Sequence, residues 1–564
     1  MVSFGRLADL YEGLEATSSG NRLREILSSF FKNIPKDEVE RVTYLTLGNI
    51  SSDYADVNLG LGWRMVLRSI AEASGTERAQ VMKLFKQTGD PGLVAERLVG
   101  RRRKALSVKE VFGQLHRVAA ASGAGSQESK IRILANLLRN ASPKEAKYLC
   151  RIVLMNMRLG VADKTVLDAL AVAFTGKREN KRVLEQAYNI CPDVGVIAGT
   201  LVRKGLPAVK RIGVMVGRPI MSMLCQRIDR LAEIPAKMGT PFAVEEKYDG
   251  ERIQAHKDGA KVTLFSRRLE DITSQFPDIA AEIRGLRAKS VVIDSEVMPV
   301  DAKGKLLKFQ VLMSRRRKYG VEEFALKIPV VLFAFDVLFL NGKSLIAIPY
   351  EKRYALLQRI VRSDKWLKLA NRTLCNDPDC AEELFSKVVA HGGEGIVIKD
   401  LKGAYEAGTR GWRWIKWKPE YTKELRDTFD LVVVGAFYGT GRRGGMLSSY
   451  LCAAYDPAKD RFGTFTKVAS GFSDAELKSM HKRAMQLRIP HRPARLDVKD
   501  SMKPDVWIEP KLVIEVLGAE ITKSPNHTAA GGLALRFPRF LRVRTDKSAE
   551  EATTVKEILK MVKQ

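Results

Sequence analysis

Cysteine is scarce in this sequence, and its spacing is not that of a metal centre. No CxxC pair occurs among the six cysteines, which are Cys150, Cys191, Cys225, Cys375, Cys380 and Cys452. This spacing indicates neither a four-cysteine zinc site nor a disulfide framework. We therefore predict that the cysteines are buried as small apolar side chains.

Long hydrophobic runs are also missing. The most apolar stretch, residues 328–340, is too short to cross a bilayer and contains Asp336. The first 15 residues mix acidic and basic side chains and lack the apolar core of a signal peptide. We expect a soluble intracellular protein.

Acidic residues fall far short of basic ones. The chain has 65 Asp and Glu against 95 Lys and Arg, which gives a net charge of +30 and a pI near 9.8. A highly charged thermophilic surface is the alternative explanation, but such surfaces normally balance lysine with glutamate. The excess favours a polyanionic partner, with nucleic acid as the leading candidate.

The length of 564 residues exceeds what one hydrophobic core usually organises, and we predict three domains. The first, residues 1–215, is predicted to be all-α. Capping boxes at 107–110 and 142–145 mark the starts of two helices. Apolar residues recur at the spacing of one helix face at Ile131, Leu134, Ala135 and Leu138.

The rest of the chain is richer in strands. In residues 216–424, short strands rich in Val, Ile and Phe alternate with helices, which predicts an α+β domain with antiparallel sheets. Residues 425–564 fit a five-stranded β-barrel of the OB type, a frequent nucleic-acid binder. The GxGxxG pattern at Gly439–Gly444 precedes a strand-like run instead of a helix, so we interpret it as a basic hairpin loop.

Lys247 stands in "EEKYDGER", at the end of a predicted strand and ahead of a turn at Gly250. An amine attacks phosphorus only when unprotonated, a form that is scarce for an ordinary lysine at neutral pH. Nearby cations such as Arg252 would favour that form. Protonation of the nitrogen in the resulting phosphoramidate makes the lysine a good leaving group, which suits a carrier of a nucleotidyl group. The alternative is a surface lysine beside a turn.

Further motifs follow Lys247 in order along the chain. They are "SRR" (266–268), "DSE" (294–296), "FAFDVLFLNG" (333–342), "GGEGIVIKD" (392–400), "WRWIKWK" (412–418) and "ALRFPRFLRVRTDK" (534–547). With them the sequence resembles the ATP-dependent DNA ligases, most closely the archaeal and eukaryotic replicative type. In the N-terminal third, "MRLGVADKTVLDALA" (157–171) and "RPIMSMLCQ" (218–226) look like the helical DNA-binding domain of that type.

The resemblance implies an all-α DNA-binding domain, an α+β adenylation domain of the nucleotidyltransferase type and a C-terminal OB-fold β-barrel. It implies an enzyme that seals nicks between a 5′ phosphate and a 3′ hydroxyl through a lysyl-AMP and then a DNA-adenylate intermediate. Its cofactors would be ATP and Mg²⁺, with Mn²⁺ as a substitute. Its partner would be nicked duplex DNA, bound by a cytoplasmic, nucleoid-associated monomer that works in replication, repair and recombination.

The resemblance also implies roles for residues around the nucleotide. Lys247 would carry AMP, Glu245 would read the adenine, and Phe335 would stack on it. Arg252 would bind the ribose or the α-phosphate, and Arg267 would touch the nucleotide and the 5′ phosphate of the nick.

Further residues would handle the metal and the phosphates. Glu296 would bind the ribose or a metal, and Glu394 would help to hold Mg²⁺. The phosphates would be neutralised by Lys399, Lys416 and Lys418. The leaving pyrophosphate would be oriented by Arg544, Asp546 and Lys547 when the last domain closes over ATP.

The residue pattern supports part of this inventory on physical grounds. Phosphoryl transfer needs positioning and the neutralisation of spreading negative charge, which lysines supply. Lys416 and Lys418 lie two apart on a predicted strand and share a face with Trp414. If the family resemblance is set aside, these lysines fit an edge strand with solvated side chains, and Phe335 fits a core position. Glu296 and Glu394 would then be solvated carboxylates.

Other functions remain open at this point. Residues 100–112 lack the glutamine-and-aromatic peptide with which many relatives dock on the sliding clamp, so clamp binding through that peptide is not expected. An RNA ligase or an mRNA-capping guanylyltransferase would share the lysine chemistry. A non-catalytic DNA-binding scaffold would share the charge. A NAD-dependent ligase is disfavoured because no four-cysteine zinc module follows the barrel.

Overall fold

The computed structural model describes residues 1–55, 57–100, 105–228, 230–315, 327–362, 365–418, 428–439, 445–518 and 520–562. These residues belong to two compact units, Met1–Pro419 and Glu420–Gln564. No helix in this described part of the chain is long and apolar enough to cross a membrane.

The first unit opens with a helical region that surrounds a continuous apolar core. Its helices are α1 (Phe4–Glu15), α2 (Gly20–Lys32), α3 (Val39–Thr46), α4 (Trp63–Ser74), α5 (Arg78–Thr88), α6 (Pro91–Leu98), α7 (Val108–Ala120), α8 (Ser126–Asn140), α9 (Pro143–Val153), α10 (Asp163–Thr175), α11 (Lys181–Ile190) and α12 (Val194–Lys210). The prediction of a helical N-terminal region is therefore confirmed.

Local sequence signals explain where these helices start and which face they bury. At α9, Ser142 and Glu145 form a reciprocal capping box, and Pro143 occupies the first helical position. Ser107 caps α7 through the backbone N–H of Glu110. The four residues predicted to share one helix face are all buried in α8.

Two sheets make up the rest of the first unit. A five-stranded sheet has the order β1 (Leu224–Arg227), β11 (Arg410–Trp417), β10 (Ile396–Asp400), β2 (Phe242–Glu246) and β9 (Arg372–Cys375). A six-stranded sheet has the order β4 (Lys261–Ser266), β3 (Glu251–Asp258), β5 (Ser290–Pro299), β6 (Val330–Leu340) and β7 (Lys343–Ser344), with β8 (Leu367–Leu369) beside β6. All pairings are antiparallel except β1 with β11 and β6 with β8.

Helices connect these strands. They are α13 (Ile234–Met238), α14 (Pro277–Gly285), α15 (Phe309–Arg315), α16 (Tyr350–Ile360) and α17 (Pro378–Ala390). The prediction of an α+β region with mainly antiparallel sheets is confirmed. The predicted division into three domains stays a prediction, and its boundary at 424 lies outside the described residues.

The second unit is built on a sheet, as predicted. Its strands run in the order β15 (Arg488–Ile489), β17 (Val506–Leu517), β12 (Thr428–Tyr438), β13 (Leu447–Asp456), β14 (Arg461–Val468) and β16 (Leu496–Asp497), with β20 (Arg539–Val543) beside β17. A hairpin pairs β18 (Glu520–Lys523) with β19 (Leu533–Arg536), and the helices are α18 (Asp474–Gln486) and α19 (Val555–Val562). The described sheet has more than the five strands predicted, because two-residue strands leave no readable alternation in a sequence.

The prediction that every cysteine is a buried apolar side chain is wrong at three positions. Cys375 and Cys380 form a disulfide. Asp377 caps α17 and Pro378 starts it, which turns the chain and brings the two Cα atoms within 5.7 Å. Cys225 is half-buried and lines a cavity.

Candidate active site

Lys247 follows directly after the buried strand β2. Its backbone N–H donates to the carbonyl of Gly395 at 2.9 Å. Tyr248 stacks on Phe333 with ring centroids 4.1 Å apart. A Cβ at Gly250 would lie 2.2 Å from the carbonyl oxygen of Val297, so only glycine lets the turn approach β5 this closely. The segment around Lys247 is therefore held from three sides.

A cavity of about 100 Å³ lies between the two sheets of the first unit and is open to solvent. Its lining contains six residues that the sequence predicted for the site, namely Glu245, Lys247, Arg252, Glu296, Phe335 and Lys399. The rest of the lining is Cys225, Glu246, Tyr248, Ala370, Val397 and Trp414. Residues from distant parts of the chain therefore converge here.

Strand register explains the contribution of the five-stranded sheet. Val397 lies opposite Glu245 on one side and Lys416 on the other, while Lys399 lies opposite Trp414. Directly opposed residues point to the same face of a sheet. The face that carries Glu245 and Lys399 therefore also carries Trp414 and Lys416, the side predicted from their spacing.

The six-stranded sheet supplies the opposite wall. Arg252 of β3 lies opposite Glu296 of β5. Between β5 and β6 the register shifts, and Phe335 is left without a partner in the ladder. Such a bulge redirects a side chain. The ring of Phe335 lies 5.9 Å from that of Trp414, so it lines the cavity and also belongs to an apolar cluster.

Glu394 joins two of the predicted lysines. Lys247 Nζ donates to Glu394 Oε2 at 2.5 Å, and Lys418 pairs with the other carboxylate oxygen. Burial alone would raise the pKa of Glu394, but the two ammonium groups lower it below its ordinary value. The carbonyl of Gly395, the next residue, accepts the backbone N–H of Lys247, so two contacts hold this segment against Lys247.

Arg252 is balanced by a carboxylate that the sequence analysis did not single out. Its Nε and Nη2 donate to the two oxygens of buried Asp294 at 2.9 and 2.5 Å. Tyr405 donates to the same carboxylate at 2.7 Å. Burial lowers the pKa of Arg252, but Asp294 more than offsets this and holds the pKa above its usual range. Arg252 therefore lines the same cavity as Lys247, with its charge balanced by Asp294.

Glu245 is buried, with 3% of its surface exposed. Its Oε2 lies 2.6 Å from Lys399 Nζ, and its Oε1 accepts the hydroxyl of Tyr350. The ammonium of Lys399 also lies 4.5 Å from the ring centroid of Trp414 and 4.6 Å from that of Phe335. Tyr350 is a residue that motif reading missed, because its position on α16 carries no sequence signal.

Glu296 is a carboxylate of the cavity wall whose acidity is shifted. Burial raises the pKa of Glu296 to about 7, although the cations Lys247 and Arg252 act in the opposite direction. In the described residues, no cluster of three or more His, Cys, Asp or Glu side chains could hold a metal ion. Protein sites for Mg²⁺ usually offer one or two carboxylates and leave the remaining positions to phosphate and water. Glu296 and Glu394 fit that kind of site.

Lys416 differs from its neighbours because it has no ion pair among the residues that the structure describes. Burial lowers the pKa of Lys416, and the neighbouring cations Lys418, Arg410 and Lys247 lower it further. Arg267 is exposed after β4, and the pairing of Ser266 with Ile253 places it close to Arg252 along the sheet.

The three predicted C-terminal residues form their own cluster in the second unit. Arg544 Nη1 donates to both oxygens of Asp430 at 2.9 Å, and its Nε and Nη2 donate to Asp546. Lys547 Nζ lies 2.7 Å from Asp430. Asp430 on β12 therefore organises this cluster, although the sequence analysis did not predict it. The glycine loop at 440–444 and the basic run at 101–104, next to the missing clamp peptide, lie outside the described residues.

Comparison with known proteins identifies related chains. Residues 222–418 match a family model described as "ATP dependent DNA ligase domain", residues 3–171 match "DNA ligase N terminus", and residues 443–547 match "ATP dependent DNA ligase C terminal region". DNA ligase 1 of Methanosarcina acetivorans is 42% identical over 573 residues, covering 99% of each chain. DNA ligase 2 of Thermofilum pendens is 42% identical over 587 residues, covering 100% of this chain and 97% of the relative.

Among solved structures, the one named Pmar-Lig_PreS3 has a TM-score of 0.59 and 18% identity. The alignment covers 95% of this chain and 99% of that one. This likeness concerns the fold.

Proposed function

Since this chain belongs to the ATP-dependent DNA ligase family, and is therefore an enzyme that seals nicks in duplex DNA with ATP, we propose that Lys247 is the residue that accepts AMP. The observation that carries the proposal is the position of Nζ. It lies in the cavity between the sheets, next to Glu394 and on the side of the cavity where Lys399 and Lys416 are found.

Three transfers account for the reaction. Lys247 Nζ attacks the α-phosphorus of ATP, a P–N bond forms, and the P–O bond to pyrophosphate breaks. An oxygen of the 5′ phosphate at the nick then attacks the same phosphorus, and Lys247 leaves as a protonated amine. Finally the 3′ hydroxyl attacks the 5′ phosphate, the phosphodiester forms, and AMP leaves. In the first step, the proton that Nζ shares with Glu394 must depart before the lone pair can attack.

The lysines balance the charge of these steps. Glu394 sits between Lys247 and Lys418, where it neutralises both ammonium groups. A bound triphosphate would replace Glu394 as the ionic partner of these two ammonium groups, and the Glu394 side chain would turn away from them. Lys416 needs no such exchange, because it has no ion pair in the described chain. Fixed cations aimed at the phosphates stabilise the charge that develops during transfer.

The remaining cavity residues fit the nucleoside. Phe335 and Trp414 offer aromatic surfaces for a base, and Glu245 offers carboxylate oxygens at their side. Arg252, held by Asp294, would meet the ribose or the α-phosphate. Glu296 and Glu394 would hold Mg²⁺, or Mn²⁺ in its place, and the ion would supply positive charge to the phosphates.

The second unit would act on the departing group. Arg544, Lys547 and Asp546 form a charged cluster around Asp430, and we propose that its cations orient the leaving pyrophosphate. Arg267 would contact the 5′ phosphate of the nick. We further propose a cytoplasmic, nucleoid-associated monomer with domains 1–215, 216–424 and 425–564. Recruitment through a clamp-binding peptide at 100–112 is not part of the proposal.

Replacing the nucleophile tests the assignment. Lys247→Ala should show no covalent AMP by mass spectrometry after incubation with ATP and Mg²⁺, and it should not join a fluorescent nicked duplex. The matched control is Lys352→Ala, which removes an exposed lysine on α16 and should retain both activities. Labelling of the Lys247→Ala variant with AMP would contradict the assignment. Parallel reactions with labelled GTP and with nicked RNA separate this enzyme from RNA ligases and capping enzymes.

A further inference from the structure

Tyr350 contacts the cavity through Glu245. It is the first residue of α16, and its side chain is fully buried. The hydroxyl donates to Glu245 Oε1. The guanidinium of Arg372 lies 5.4 Å from the centroid of the ring. The phenol of Tyr350 is therefore buried and lies behind the Glu245 carboxylate. Its hydroxyl donates to that carboxylate, which faces the cavity.

Both fixed neighbours of the Glu245 carboxylate are donors. The ammonium of Lys399 can only donate hydrogen bonds. The hydroxyl of Tyr350 has one proton, which it donates to Glu245 Oε1. An ionised carboxylate has about four acceptor sites, so two directions remain open towards a ligand. A group that meets Glu245 there must itself bring a proton.

Burial disfavours the ionised form of the Glu245 carboxyl, which is the form that only accepts hydrogen bonds. It raises the pKa of Glu245, and the charge of Asp336 acts in the same direction, while Lys399 and the hydroxyl of Tyr350 lower it. A carboxyl that lost one of these donors would take up a proton more readily. In that form it could donate a hydrogen bond to a carbonyl as well as accept one from an amine.

We propose that Tyr350 is a positioning residue that keeps Glu245 an obligate hydrogen-bond acceptor, so that the cavity selects a purine with an exocyclic amine over one with a carbonyl at that position. The inference rests on the proposed function, because it places the base of the nucleotide beside Glu245. Tyr350 itself touches no substrate atom and acts through the carboxylate. A site built for one hydrogen-bonding pattern rejects the reverse pattern strongly, because buried partners are left unpaired.

ATP and ITP provide the comparison. They share the ribose and the triphosphate, and at position 6 one carries an amine where the other carries a carbonyl. In single-turnover transfer to Lys247, Tyr350→Phe should lower the ratio of kcat/KM for ATP over ITP by about tenfold, the value of one hydrogen bond to a charged group. The change should lie mainly in a lower KM for ITP, because a protonated Glu245 can donate to the carbonyl of ITP and still accept from the amine of ATP.

The matched control is Tyr354→Phe. Tyr354 lies one turn along α16, contacts Arg372 through its ring, and is also buried. Removing its hydroxyl changes the same atom type in the same helix, and the ATP-to-ITP ratio should stay at the value of the unaltered protein. Equal effects of the two substitutions on the ratio would assign Tyr350 a merely structural role and overturn the proposal.

Glu245→Gln gives an independent readout. An amide can donate to a carbonyl, so this variant should shift its preference towards ITP, and adding Tyr350→Phe should change the ratio no further. Additive effects would show that Tyr350 does not act through Glu245. A Glu245→Gln variant that kept the original preference would overturn the proposal even if Tyr350→Phe failed to fold. Covalent labelling of Lys247→Ala would instead refute the proposed function.

Discussion

Buried charges are arranged differently in the helical region and in the cavity. In the helices, Arg151 of α9 donates to Asp90 at 2.8 Å and to Glu15 of α1 at 3.0 Å, with only 3% of its side chain exposed. In the cavity, Lys247 and Lys418 face Glu394 with 23% and 16% of their side chains exposed. Arg151 and Asp90 are closed off from solvent, while Glu15 keeps 31% of its side chain exposed; the cavity ions border an open space.

The cation type follows that difference. Arginine presents a rigid fork of donors and suits a permanent pair, whereas lysine is a compact charge on a flexible stem that can change partners. The first arrangement ties α1 and α9 to the residue that caps α6. The second holds two ammonium groups at the cavity, where we propose that they bind phosphate. Cation type therefore separates the Arg151–Asp90 pair from the Lys247–Glu394–Lys418 group.

The largest effect is expected from breaking the helical group. Arg151→Met leaves Asp90 and Glu15 in place without their main partner and should lower the free energy of unfolding by about 3–5 kcal/mol. Urea denaturation followed by circular dichroism measures this. Arg139→Met, which breaks the half-exposed pair with Glu72, serves as the control and should lose at most about 1 kcal/mol. Similar losses of unfolding free energy in Arg151→Met and Arg139→Met would contradict the distinction between the buried group and a half-exposed ion pair.

Replacing a cavity lysine should lower activity without lowering stability. Lys416→Met removes a cation that has other cations nearby and, among the described residues, no ion pair, so the protein should be as stable as before or more so. Transfer of AMP from ATP should slow by about a hundredfold, as when one fixed charge of a reaction site is lost. Single-turnover labelling and urea denaturation measure the two effects. The control is Lys368→Met, which replaces an exposed lysine of β8 and should change neither AMP transfer nor stability. A clear loss of stability in Lys416→Met would contradict the proposed difference between the two groups of ions.

The smallest effect concerns pH. Burial raises the pKa of Glu15, but hydrogen bonds from Arg151 and Lys147 lower it to about 2, against 4.5 for an ordinary glutamate. A lowered carboxyl pKa contributes stability that is complete above about pH 4.5 and lost as the pH falls towards 2. Glu15→Gln should therefore be less stable than the unaltered protein near neutral pH and should lose less stability across that window. Thermal unfolding between about pH 6 and 2 measures both, and parallel curves for the two proteins would contradict the assignment.

Much of the fold could be predicted from local signals. The caps at Ser107 and Ser142 and the apolar spacing in α8 act within one or two turns of helix, so the sequence carries them directly. The alternation in "WRWIKWK" placed Trp414 and Lys416 on one face because side chains on a strand alternate with a period of two. The disulfide between Cys375 and Cys380 was missed, because it depends on the turn that Asp377 and Pro378 make.

By itself, the sequence determined the nature of the partner, through its charge, and the set of groups available to the reaction, through its ordered motifs. Only the tertiary structure decided how those groups are paired. Asp294 neutralises Arg252, Glu394 bridges two lysines, and Tyr350 holds Glu245 across 105 residues of chain. The physical reason is that an ion pair or a hydrogen bond depends on distances of a few ångströms, which strand register and the packing of the two sheets set and which spacing along the chain does not.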